Sequence, residues 1–146
     1  MQYERSLMKI PSASLSTEPV LITAAEHTAA LEELQQREPV FHRPEFGTTR
    51  ADFENIMDDA FWEIGASGRR YSREYVLDVL EARWRDPPLD RWEAFDFHCA
   101  EIAAGNYLLT YTLKQEDRLT RRTSIWRRTD AGWKIVFHQG TIVADA

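Results

Sequence analysis

Two side chains in this sequence are suited to acid–base work. His138 stands in Phe137-His138-Gln139-Gly140-Thr141, and an imidazole changes charge close to neutrality. Glu63 stands in Phe61-Trp62-Glu63-Ile64, where apolar neighbours would raise a carboxyl pKa into a useful range. Each has a plainer alternative. His138 can be a buried histidine bonded to the neighbouring strand, and no paired nucleophile is legible beside it. Glu63 can face solvent or pair with an arginine, since charged side chains are seldom fully buried alone. Asp58-Asp59 could bind a cation, but no further oxygen ligands stand at a recognisable spacing, so a solvated turn is the expectation. His98 and Cys99 are strand neighbours and point to opposite faces. With His27 and His42 in other elements, no metal site and no cofactor are expected. Arg118, Arg121, Arg122, Arg127 and Arg128 crowd one hairpin. They read as a solvated surface balanced by Glu116, Asp117 and Asp130, although arginine forks also suit anionic ligands.

The bulk numbers narrow the function classes. A formal net charge of -6 argues against general nucleic-acid binding, which phosphate neutralisation dominates. The chain has 146 residues, enough for one domain that buries roughly 70% of its unfolded surface without a staple. Aromatic residues make up 12%, ample material for a core or a pocket wall. Cys99 is the only cysteine, so no internal disulfide forms. Met1 to Ile10 is broken by Glu4, Arg5 and Lys9. Neither a signal peptide nor a membrane span is expected, which points to a cytoplasmic protein.

Helices come first along the chain. Residues 1–22 read as an arm broken by Pro11 and Pro19, and residues 23–146 as the domain. Thr23 with Glu26 reads as a capping box opening an amphipathic helix over 24–38, with Leu31 and Leu34 on one face and Pro39 as the stop. Thr49-Arg-Ala-Asp52 starts a second helix, in which Phe53, Ile56, Met57 and Ala60 recur at helical spacing. Residues 61–64 and 69–72 form a small hairpin about Ser67-Gly68. Ser72 caps a third helix running to about residue 84, with Val76, Leu77 and Leu80 toward the core.

Strands follow, over 93–102, 107–115, 121–129 and 133–143. Short polar turns between them indicate an antiparallel meander, and helices before sheet indicate an α+β fold. Strand alternation groups Arg122, Ser124 and Trp126 on one face, and Leu109, Tyr111 and Leu113 on one face. On the last strand it groups Val136, His138 and Gly140 against Ile135, Phe137, Gln139 and Thr141. Which group faces the helices stays open, because a bulge shifts the register.

Three pieces then stand in a familiar order. They are Asp58-Asp59-Ala-Phe-Trp-Glu-Ile-Gly65 with Gly68-Arg69-Arg70-Tyr71, then Leu109-Thr-Tyr-Thr112, then Arg122-Thr-Ser-Ile-Trp-Arg127 leading to Trp133 and Phe-His-Gln-Gly-Thr141. Together they resemble the nuclear transport factor 2-like superfamily, and within it the SnoaL-like branch of domains of unknown function. The resemblance covers residues 23–143. It implies a cone: a strongly curved, mainly antiparallel sheet wrapped around N-terminal helices, with a cavity open at the wide end. The superfamily includes ketosteroid isomerases, polyketide cyclases and dehydratases, and also association modules without chemistry, so fold does not settle function. By analogy, Glu63 and His138 are the catalytic candidates, and Tyr71, Tyr111, Arg122, Ser124 and Trp126 the ligand contacts. The expected partners are a small hydrophobic carbonyl compound and a second copy in a homodimer, with no nucleic acid and no membrane.

Overall fold

The computed structural model describes residues 17–87, 89 and 91–144. Three α-helices, α1 (Thr28–Gln35), α2 (Arg50–Ile56) and α3 (Arg73–Arg85), pack on one face of a six-stranded sheet. The strands are β1 (Met57–Ile64), β2 (Arg70–Ser72), β3 (Glu93–Ala103), β4 (Asn106–Gln115), β5 (Arg118–Thr129) and β6 (Gly132–Ile142). Their order is β2-β1-β6-β5-β4-β3. Strands β3 to β6 form the expected antiparallel meander. β1 pairs antiparallel with β2 as a hairpin and parallel with β6, so the sheet is mixed and its two edges, β2 and β3, stay open.

Local chemistry sets the helix starts. Thr49 Oγ1 accepts from the Asp52 amide at 3.2 Å while Asp52 Oδ2 accepts from the Thr49 amide at 3.1 Å, the reciprocal cap expected from the sequence. Gly47 precedes it at φ 130°, and a Cβ there would sit 2.3 Å from Asp52 Cβ, so the cap needs glycine. Ser72 Oγ accepts from the Tyr75 amide at 3.1 Å and starts α3. The first helix differs from expectation. The chain enters it through a 3-10 turn, Ala25–His27, and the cap position, Ala24, has no side chain to offer. Thr23 Oγ1 instead accepts from the Cys99 amide at 3.1 Å and satisfies a donor on the edge strand β3. α1 also ends at Gln35 rather than at residue 38, and residues 36–43 leave the helix to carry Glu38 and Phe41 inward.

α2 is shorter than its hydrophobic spacing suggested. Met57 and Ala60 lie in β1, because Met57 pairs with Ile135 of β6 and tertiary pairing outweighs an i, i+3, i+4 pattern. The core joins Leu34 of α1, Phe53 of α2, Val76, Leu77 and Leu80 of α3, and the inner face of the sheet. Trp126 and Ile135 on that face are fully buried. Two irregularities decide which side chains point in. Asp96, at φ 64°, sits in a bulge of β3 opposite Tyr111. A second bulge at Val136 breaks the β5–β6 register between Ile125↔Phe137 and Trp126↔Ile135. It turns Trp133, Ile135, His138 and Gly140 all inward and Phe137 outward, so Ile135 and Phe137 do not share a face as simple alternation requires. Among the described residues no helix is long and apolar enough to cross a membrane.

Candidate functional site

The inner face of the sheet, α3 and the loop after α1 enclose a cavity of about 440 Å3. Glu63 of β1, Tyr71 of β2, Arg122 of β5 and His138 of β6 reach its wall. Register places them side by side: Glu63 pairs with both Tyr71 and His138, and Arg122 with Gly140. Phe41, His42, Tyr75, Val79, Arg83 and Arg118 complete much of the lining.

Behind His138 lies a buried polar chain. His138 Nδ1 is 2.8 Å from Ser124 Oγ, and Ser124 Oγ donates to Glu38 Oε1 at 2.7 Å. Glu38 Oε2 accepts from the Tyr111 hydroxyl at 2.6 Å and from the Val40 amide at 3.3 Å. Tyr111 is fixed in turn by stacking on Phe97, centroids 4.8 Å apart. The Glu38 carbonyl accepts from Arg43 Nε at 3.0 Å and Nη2 at 2.8 Å, while that guanidinium lies over the Trp92 ring. The loop carrying Glu38 is therefore pinned at both main chain and side chain.

Burial governs the charges here. Glu38 is fully buried, and desolvation pushes its carboxyl up to about 7 against the opposing hydrogen bonds from Tyr111, Ser124 and Val40. The Trp126 indole N–H also favours the carboxylate, yet it falls short of a hydrogen bond and Nε1 has no partner among the described residues. Burial, with the nearby Arg122 charge second, pushes His138 down to about 3, so its ring is neutral at physiological pH. Tyr111 is held well above the usual phenol range by burial and by the Glu38 charge.

These three facts make the chain a proton relay. With Glu38 ionised, Ser124 donates to Glu38 and His138 Nδ1–H donates to Ser124, which leaves Nε2 as an acceptor. With Glu38 protonated at Oε1, the Glu38–Ser124 and Ser124–His138 bonds reverse and Nε2–H becomes a donor. Nε2 has no protein partner among the described residues, and His138 lies on the cavity wall. A proton taken up at Nε2 can thus pass to Glu38 without the imidazole ever becoming a cation. The low His138 pKa does not prevent this transfer, because the proton ends on Glu38, whose pKa lies near neutrality.

Glu63 is a second titratable group on the cavity wall with a shifted pKa. Burial raises its carboxyl, opposed by the Arg122 and Arg83 charges. Arg122 is desolvated too, which lowers its pKa, and its Nε donates to Thr120 Oγ1 at 2.9 Å. Tyr71 stacks on Tyr75 with centroids 5.1 Å apart and forms a flat wall.

Of the seven residues singled out from the sequence, Glu63, Tyr71, Arg122 and His138 line the cavity. Tyr111, Ser124 and Trp126 lie one layer behind it, buried in the polar chain or the core. Asp58 is neither a cation ligand nor a solvated turn: it is buried, ion-paired to Arg127, and accepts from the Ala60 amide at 2.9 Å. Sequence reading missed Glu38. It sits where a helix was expected to end, between Arg37 and Pro39, and no spacing links it to Ser124 or Tyr111. Among the described residues no three His, Cys, Asp or Glu side chains converge as a metal site requires.

No family model matches this chain, and no curated protein matches it in sequence. Solved structures do. A nuclear transport factor 2-like protein from Cytophaga hutchinsonii superposes with a TM-score of 0.63 at 13% identity, covering 82% of this chain and 100% of that one. The fold is nuclear transport factor 2-like. A candidate dehydratase of the same family from Streptomyces avermitilis gives a TM-score of 0.63 at 16% identity over 80% of this chain and 98% of that one. An uncharacterised protein with a cystatin-like fold from Caulobacter vibrioides gives 0.57 at 17% identity, over 82% and 89%. At such identities the likeness establishes the nuclear transport factor 2-like fold and leaves the chemistry to the site itself.

Proposed function

We propose that this is a small-molecule-binding protein of the SnoaL-like type that performs acid–base chemistry on a hydrophobic carbonyl compound. The observation that carries the reading is His138: among the described residues its Nε2 has no hydrogen-bond partner at the cavity wall, while Nδ1 connects through Ser124 to the buried Glu38. In this reading Nε2 removes a proton from carbon next to the carbonyl, and the relay stores it on Glu38. Glu63, its pKa raised by burial, protonates the oxygen or leaving group from the same wall. Ser124 and Tyr111 are positioning residues, and Tyr71 supplies apolar contact. Isomerisation and dehydration both need one base and one acid across such a cavity.

The test needs no prior substrate. A panel of hydrophobic ketones is incubated with the protein in heavy water, and exchange of their α-protons is followed by NMR. Exchange above background is expected for at least one compound, falling by about 100-fold or more in His138→Gln. Exchange that is equal in the wild type, His138→Gln and Glu63→Gln would sink the reading.

A specific surface feature supports a second reading, a homodimeric association module. Trp62, exposed on the outer face of the sheet, meets Phe137 with centroids 4.9 Å apart, and Phe95 on β3 is also exposed. Light scattering of the wild type and Trp62→Glu separates the two. A dimer that dissociates in the variant favours the module, and a monomer in both removes it.

A further inference from the structure

The cavity wall carries three guanidinium groups, Arg83, Arg118 and Arg122, and one carboxylate side chain, Glu63. The whole chain has a formal net charge of -6, so the cavity runs against the sign of the molecule. Elsewhere Arg50, Arg121, Arg127 and Arg128 each hold a carboxylate. Among the described residues none of the three cavity arginines does. Arg118 moreover lies close enough for Arg122 to feel its charge. Arg122 is desolvated while Arg118 stands at the exposed rim beside it, and an anion at Arg122 relieves the cost of holding that guanidinium out of water next to a like charge.

Arg122 is also built to present its fork. Its Nε is tied to the buried Thr120 hydroxyl at 2.9 Å, which fixes the plane and leaves the two terminal nitrogens for another acceptor. The guanidinium lies across Gly140, its register partner on β6. A Cβ at that position would come within 2.7 Å of Nη1. A side chain at residue 140 would push the guanidinium out of this position. The stacked Tyr71 and Tyr75 rings, with Val79 and Phe41, add an apolar part to the same lining.

We propose that the cavity binds a singly charged organic carboxylate with an apolar or aromatic body, its carboxylate on the Arg122 fork beside Arg118 and its body against Tyr71 and Tyr75. The planar fork matches a carboxylate bidentately. In its ionised form Glu63, on the same wall, opposes a second negative charge on the ligand. The inference rests on the cavity being a ligand site and adds the class of ligand.

Calorimetry with phenylacetate, its neutral isostere phenylacetamide and phenyl phosphate tests it, alongside the neutral dye Nile red. Phenylacetate is expected to bind about tenfold or more tightly than the amide, and added salt should narrow the gap. Arg122→Gln should abolish the advantage. Gly140→Ala should reduce it without removing any charge, and Arg118→Gln, at the exposed rim, should narrow it in a variant with little risk to folding. Equal affinity for acid and amide, or an advantage that survives Arg122→Gln, overturns the proposal while Nile red binding upholds the cavity as a ligand site. Tighter binding of phenyl phosphate overturns the carboxylate assignment. If the dye and all three aromatic probes fail to bind, the ligand-site reading falls with it.

Discussion

Arg50 and Glu38 each gather several polar partners, one at the surface and one in the interior. Arg50 on α2 meets Asp78 at 2.8 Å and Glu81 at 3.0 Å, and also pairs with Glu54 and Glu74, bridging α2 to α3. Its guanidinium pKa is raised by the hydrogen bonds it donates to Asp78 and Glu81, and Glu81 is lowered in return. Every charge in that cluster has an opposite charge beside it and water within reach. Among the described residues Glu38 has no cation at hydrogen-bond distance from its carboxylate, only neutral donors. Counting contacts would rank the surface cluster higher. Solvent reverses the ranking, because screened ion pairs contribute little while an interior polar group left unmatched is expensive.

The largest break in this contrast is Glu38→Ala. It removes the acceptor of Tyr111, Ser124 and the Val40 amide together, and we expect a loss of about 3 kcal/mol or more in urea unfolding. A loss no greater than that of Arg50→Ala would erase the distinction between the two clusters.

The pH dependence sharpens it. The Glu38 carboxyl titrates near 4.5 ordinarily and at about 7 in the fold, so the folded chain keeps a proton that the unfolded chain releases. Its contribution is complete below the unfolded value and is lost as pH rises through about 7, on the order of 3 kcal/mol. His138 works in the opposite sense. Its pKa falls from 6.5 to about 3, so its contribution is complete above 6.5 and is lost as pH falls toward 3. Between 4.5 and 6.5 the two slopes oppose each other. Unfolding midpoints measured from about pH 6.5 to 8 should decline in the wild type and stay flatter in Glu38→Gln. Parallel curves would remove Glu38 as the titrating group.

Ser124→Ala cuts the relay at its middle. The cost should be about 1–3 kcal/mol, since Glu38 Oε1 and His138 Nδ1 both lose their partner. Nitrogen-15 NMR of His138 carries the sharper signal: the wild-type ring should exchange one neutral tautomer for the other near the Glu38 titration, and the variant should not. An unchanged tautomer across that range in the wild type contradicts the relay. Arg50→Ala should give the smallest effect of the four, a slight drop in melting temperature that shrinks further in added salt.

Much of the scaffold was legible because its rules are local. The Thr49–Asp52 and Ser72 caps, the β1–β2 hairpin and the β3–β6 meander all follow from residue type at short range. Errors arose where a distant partner intervened. Thr23 looked like a cap, but β3 claimed its hydroxyl. Met57 continued a helical pattern, but β6 drew it into a strand. Glu63 and His138 were visible through their own chemistry. Their adjacency was not, since it depends on a parallel pairing of strands seventy-five positions apart in register Glu63↔His138.

The sequence by itself determined an α+β chain, its helix caps, its strand meander and an aromatic supply for a walled cavity. Only the tertiary structure decided which faces turn inward, because the Val136 bulge reverses the alternation on β6. It alone also joined Glu38, through Ser124, to His138 on the cavity wall. Glu38 lies 73 residues from Tyr111 and 86 from Ser124, and its pKa reflects the water excluded by the whole fold rather than any neighbour in sequence.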